Sequence, residues 1–144
     1  PPKLPWQIET LVITGGLTIL TGEAGLGKSL LSQALAVGVG TGEVEAGMRC
    51  KKGSALLLDA ENGEHEIHRR VHALRPPPGT VAIVEAEGFD LRYDLDSLAE
   101  LVRSQRPDLL ILDSFRSIWG GDENDPGEVR AHELGVGRGE GDVG

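Results

Sequence analysis

Cysteine is all but absent from the sequence. Cys50 stands alone, so no disulfide can form within the chain, and a reducing compartment is the natural setting. A lone thiol near a turn carries no further assignment. Aromatic residues make up only 3% of the 144 residues. That excludes an aromatic-rich β-sandwich core and leaves Leu, Val, Ile and Ala to build the interior, which suits a buried parallel sheet. No apolar run approaches the ~20 residues of a membrane span, and the opening Pro1-Pro2-Lys3 is no secretory signal. A cytoplasmic chain with no membrane partner is expected. An initiator Met is lacking too, as in a chain that continues upstream. Positive charge is scarce: the net charge is −9, and it is unevenly placed. Residues 1–60 carry five positive and five negative side chains, whereas residues 61–144 carry nine and eighteen. A basic footprint for nucleic acid is therefore missing from the chain itself. Any polyanionic ligand must be captured by a local device, because the overall field repels it.

Glycine is abundant instead, with 21 residues; added to the 39% apolar fraction, it makes an ordinary globular composition for one domain. Apolar runs alternate with helical patterns. Residues 17–21 (LTILT), 54–59 (SALLLD), 80–85 (TVAIVE) and 108–113 (DLLILD) read as strands. Residues 28–39 read as a helix with Leu30, Leu31, Ala34 and Leu35 at helical spacing. A second helix spans 64–74, with Ile67, Val71 and Leu74 on one face, and is stopped by Pro76–Pro78. A third spans 96–105, with Leu98, Leu101 and Val102 on one face and Asp96 as its N-cap. Strands alternating with helices predict a doubly wound α/β fold around a mostly parallel sheet. Burial on both faces explains why the strand runs are continuous rather than alternating. Residues 1–134 are expected to form this core. Residues 135–144, with five glycines and no periodicity, are expected to form a disordered tail.

Between the first strand and the first helix lies Gly22-Glu23-Ala24-Gly25-Leu26-Gly27-Lys28-Ser29, which fits G-x-x-x-x-G-K-[ST] in its proper strand–helix context. The glycines let backbone N–H groups wrap phosphate oxygens, and the new helix adds its N-terminal partial charge. Lys28 is placed for the β- and γ-phosphates of ATP, and the Ser29 hydroxyl for Mg²⁺. Asp113 closes the run LLILD, so its carboxylate reaches the edge where ligands bind in open α/β sheets and is the second magnesium candidate. Glu61 lies just past the run LLLDA on the same edge, where a carboxylate can orient and activate the water attacking a γ-phosphate. Asp59, two residues earlier, competes for that role but suits a hydrogen-bonding place at the strand end.

The segments GGLTILTGEAGLGKS, LLLDAEN and DLLILDSFRSIWGGDENDPGEVR resemble those of the RecA-like P-loop ATPases. Within them the chain is most similar to the branch of RepA-type hexameric helicases and related AAA-family ATPases of plasmid and phage replication modules. The likeness runs from about Pro5 to Glu133. It implies a RecA-like fold, ATP hydrolysis with Glu61 and Lys28 as catalytic residues, a homo-oligomeric (hexameric) ring in the parent protein, and DNA as its partner. It also implies a further core strand after about Glu128, bearing a sensor His or Gln, then a DNA-contacting loop and an arginine finger. The run AHELGVGRGEGDVG departs from that pattern, so the C-terminal third reads as truncated and the core as incomplete. Arg116 and Arg130 remain, and neither is assigned as the finger.

Other features are weighed against plainer readings. His65, His68 and His72 share one helix, and the last two are four apart, but no H-E-x-x-H form or nearby cysteine supports a metal site; a solvated helix face fits better. Arg49, Lys51 and Lys52 form a basic cluster that suits a solvated loop more than a nucleic-acid patch. Trp6 suits an anchor of the N-terminal arm or a place beside the nucleotide. Trp119 suits burial more than stacking on a base. Two other functions remain open: a non-catalytic ATP-binding switch module, and a P-loop kinase for a small molecule. The latter excludes water with an Arg-rich lid, which the sequence does not show.

Overall fold

The computed structural model describes residues 3–23 and 25–119, with Glu64 described by its backbone only. A short hairpin, β1 (Trp6–Ile8) and β2 (Val12–Ile13), precedes α1 (Lys28–Thr41). A second hairpin, β3 (Val44–Glu45) and β4 (Met48–Arg49), is followed by β5 (Ala55–Asp59), α2 (Glu64–Ala73) and β6 (Val81–Glu85). Then come α3 (Leu91–Gln105), β7 (Leu109–Asp113) and the single turn α4 (Phe115–Ile118). The central sheet is three-stranded and parallel, in the order β6-β5-β7.

Every residue of β5 is buried, which is what a continuous apolar run on the middle strand requires. Alternation sorts its side chains between the two faces. Leu57 packs with Val37 of α1 and with Ile67 and Val71 of α2, while Leu58 packs with Leu91 and Leu98 of α3 and with Trp119. Ala55 joins Ile8, Leu35, Ala36, Val39 and Leu109 in the remaining part of the core. The chain moves outward from β5 to β6 through α2, then back across β5 to β7 through α3. Crossovers of one hand put those two helices on opposite faces, and the core clusters show that they are.

Within α1, Gly38 and Gly40 serve close packing. A Cβ on Gly38 would lie 2.6 Å from Glu45 Cγ and 2.8 Å from Cys50 Sγ, and one on Gly40 2.7 Å from Thr80 Oγ1. The second hairpin and the start of β6 can therefore lie directly on the helix.

Three expectations from the sequence change. Residues 17–21 form no strand: Leu17 and Ile19 are 81% and 66% exposed, and no described strand pairs with them. An extended apolar run becomes a strand only beside a partner. The helix expected at 96–105 begins at Leu91, with Asp90 rather than Asp96 as its N-cap. The Asp90 carboxylate accepts from Arg92 N at 3.0 Å, and Asp94 reaches back to Asp90 N at 2.8 Å, closing the first turn from both sides. Leu74, placed on the apolar face of α2, caps that helix and is 43% exposed. No helix among the described residues is long and apolar enough to cross a membrane. The segment 135–144 lies outside the described residues.

Candidate functional site

The loop Gly22–Ser29 opens α1. Gly25 and Gly27 adopt φ of 85° and 87°, the left-handed region where only glycine is unstrained, and Gly27 is the N-cap. The N-cap makes no side-chain hydrogen bond and the first turn holds no acidic residue. The helix thus presents its uncapped N–H groups and partial positive charge to the loop, the arrangement that suits an anion. Lys28 is folded back over the loop: its ammonium donates to the carbonyl of Gly22 and, at 2.8 Å, to that of Glu23. Ala24 lies outside the described residues, and Leu26 is exposed.

Three acidic residues stand abreast at the carboxyl ends of the strands, since Asp59 is in register with both Glu85 and Asp113. Ala55 and Leu57 face α1, so alternation puts Asp59 on that same side, toward the helix start. Asp59 is wholly buried. Its Oδ1 accepts from the backbone N–H groups of Glu61 (2.9 Å) and Asn62 (2.7 Å), and its Oδ2 from Asn62 Nδ2 (2.9 Å). The Asn62 amide also reaches Ser29 Oγ, at 3.4 Å. This turn fixes the direction in which the chain leaves β5.

Asp113 is buried as well, and its Oδ2 has no hydrogen-bond partner. Burial holds its carboxyl above the ordinary range, and the charges of Asp59 and Glu61 push the same way; the Ser29 hydroxyl and the Lys28 ammonium pull it back. Ser29, Lys28, Asp59 and Asp113 thus act on one another although they come from three separate segments. Glu61 sits in the open. Its Oε1 accepts from Ser114 Oγ at 2.8 Å and Ser117 Oγ at 3.1 Å. A cleft of about 280 Å³ opens beside it, lined by Asp59, Glu61, Asn62, Glu85 and Glu87 among others. Among the described residues no three His, Cys, Asp or Glu side chains converge on a metal site of their own. A cation here would have to share its oxygens with a ligand.

The structure brings Lys28, Ser29, Glu61 and Asp113 to one edge of the sheet. It adds Asn62, Ser114, Ser117 and Glu85, which the sequence reading left without a role. The signal for Asn62 was its place in DAEN, directly after the candidate carboxylate. Ser114 and Ser117 had a weaker one, the serines that follow Asp113 at helical spacing. His65, His68 and His72 are all exposed. Arg49 is exposed and pairs with Glu9 at 3.7 Å. Trp119 is buried and stacked on Phe115. Arg130 lies outside the described residues.

A glycine-rich loop opening a helix, faced by carboxylates at the ends of adjacent parallel strands, defines a P-loop nucleotide-binding domain. The family model described as an AAA domain matches residues 1–133. The chain belongs to that AAA family of P-loop ATPases. No curated protein matches it.

Proposed function

We propose that the chain is the ATP-binding and ATP-hydrolysing core of a RecA-like motor of the RepA type, which works on DNA as a homo-oligomeric, hexameric ring during replication. The observation that carries the hydrolase part is the meeting of Lys28 and Ser29 with Asp113 and Glu61 at one sheet edge, in an otherwise acidic chain. The DNA and ring parts rest on the resemblance of the segments DAEN and DSFRSIWGGDEND.

Residues 22–29 cradle the phosphates with backbone N–H groups. Lys28 exchanges its contacts with the Gly22 and Glu23 carbonyls for the β- and γ-phosphates. The donor set fits Mg²⁺: Asp113 supplies a buried carboxylate oxygen without a partner, the Ser29 hydroxyl lies beside it, and oxygen ligands suit a hard cation. Ser29 and Asp113 would hold the ion, which neutralises phosphate charge when bound. Glu61 orients the attacking water and takes its proton. Asp59 and Asn62 hold the turn from which Glu61 projects.

The test is a titration of a fluorescent ATP analogue with Mg²⁺ into the parent chain and into Lys28→Ala, followed by phosphate release with and without single-stranded DNA. Saturable binding lost in the variant supports the nucleotide site; equal affinity refutes it. DNA-stimulated release by a discrete ring supports the motor. Phosphorylation of a small molecule without phosphate release would replace it with a kinase.

A further inference from the structure

We propose that Ser114 and Ser117 form a latch on Glu61: they are positioning residues that tie the water-orienting carboxylate to the Phe115–Trp119 stack, so that the nucleotide site and α4 shift together. The proposal rests on the role given to Glu61 above. Both hydroxyls donate to the same oxygen, Glu61 Oε1, at 2.8 and 3.1 Å, and they lie 3.1 Å from each other. A carboxylate oxygen offers about two lone-pair sites, and the two serines occupy both on Oε1. A water that binds at this oxygen must displace a hydroxyl.

That hydroxyl is not free to leave without consequence. Ser114 caps α4, accepting from Ser117 N at 3.4 Å. Phe115, the first residue of that turn, and Trp119, its C-cap, stack with ring centroids 6.0 Å apart and planes at 13°. The indole is 6% exposed and packs with Leu58, Ala86, Leu91 and Leu98. A four-residue helix has almost no stability of its own, so its position depends on its attachments, among them Glu61 on one side and the buried Ile118 and Trp119 side chains on the other. Releasing one changes what the other feels.

The chain carries two tryptophans, Trp6 and Trp119, so a Trp6→Phe background makes Trp119 the only indole. In that background, Glu61→Ala and the double variant Ser114→Ala/Ser117→Ala should raise acrylamide quenching of Trp119 equally, roughly two-fold. Combining all three should add nothing more, as expected for residues acting as one unit. Ser114→Thr/Ser117→Thr keeps both hydroxyls and should restore the parent signal. ATP with Mg²⁺ should move the parent signal in the same direction and leave the alanine variants unmoved. The serine-to-alanine pair should lower kcat about 10-fold at unchanged nucleotide affinity, the scale of a misplaced catalytic group. Quenching that is unaltered in Glu61→Ala, or effects that simply add, would overturn the latch. Turnover lost in Glu61→Gln while the serine variants change neither Trp119 nor kcat refutes the latch alone. Coupled Trp119 changes with full turnover in Glu61→Gln refute the role of Glu61, and the positioning proposal falls with it.

Discussion

Replacing Asp113 by Asn should stabilise the nucleotide-free chain, although it removes a residue placed at the centre of the site. Asp113 is 9% exposed and its Oδ2 has no partner. Burial raises its carboxyl above the ordinary value, with Asp59 and Glu61 adding like-charge repulsion. A carboxyl that titrates higher in the folded than in the unfolded chain contributes its stability fully below the unfolded value, about 3.9, and loses it as pH rises through the folded value. At neutral pH the ionised group is therefore a net cost. A buried acceptor left unsatisfied costs about 1–3 kcal/mol. Asn keeps the shape and removes the charge with its repulsion by Asp59 and Glu61, so a gain of about 1–2 kcal/mol is expected, or ~3–6 °C in Tm for a chain of this size. Scanning calorimetry across pH should show the largest gain at neutral pH, shrinking on acidification toward about pH 4 as the parent carboxyl protonates. Saturating ATP and Mg²⁺ should reverse the order. Ligand at 100 times Kd adds about 2.7 kcal/mol to the parent, and less to a variant without the carboxylate. A ligand-free Asn variant that melts below the parent at neutral pH, or a difference independent of pH, would refute the reasoning.

Glu61→Gln should leave nucleotide affinity intact and lower turnover by about 10²-fold or more, the usual worth of a positioned base; if Asp59→Asn stopped turnover and Glu61→Gln did not, the two roles would be reversed. Gly38→Ala should lower stability by about 1–3 kcal/mol in urea unfolding, because overpacking outweighs the gain in helix propensity: the new Cβ would lie 2.6 Å from Glu45 Cγ and 2.8 Å from Cys50 Sγ. A more stable variant would show that the hairpin gives way. The Cys50 thiol is 5% exposed and pushed up by burial, so its thiolate is scarce at neutral pH and a disulfide reagent should label it only when denaturant opens the chain. Fast stoichiometric labelling of the folded protein would contradict that burial.

What was legible in the sequence follows from how local each feature is. The phosphate loop is written in eight consecutive residues, and Asp113 and Glu61 could be placed because each sits at or just past the end of a continuous apolar run. The partners of Glu61 could not, because Ser114 and Ser117 lie 53 and 56 positions away and reach it only through the parallel register of β5 and β7. The hairpins were missed for the opposite reason. At two or three residues per strand they are too short to show a period of two, and the turn between β3 and β4 depends on Ala46 and Gly47 at φ of 49° and 77°. The start of α3 was placed at the wrong aspartate because Asp90 and Asp96 have equal capping chemistry. Only the fold shows that Leu91 is buried and must belong to the helix.

The run 17–21 shows where such reasoning stops. Leu17, Ile19 and Leu20 are as apolar as Leu56, Leu57 and Leu58, yet the first three are exposed while the second three are 0–1% exposed. Propensity does not separate the two segments in the observed direction, since residues 17–21 hold the β-branched Thr18, Ile19 and Thr21 and residues 56–58 hold none. They differ in neighbours, because Leu56–Leu58 are paired on both sides by β6 and β7, and no described strand adjoins residues 17–21. Strand formation is a relation between segments, so a pattern in one segment states only what it can join. The same holds at the site. The Asp113 carboxylate is costly by itself and acquires a use only beside Ser29, Lys28 and a ligand able to take its unpartnered oxygen, and that is why its energetics can test its function.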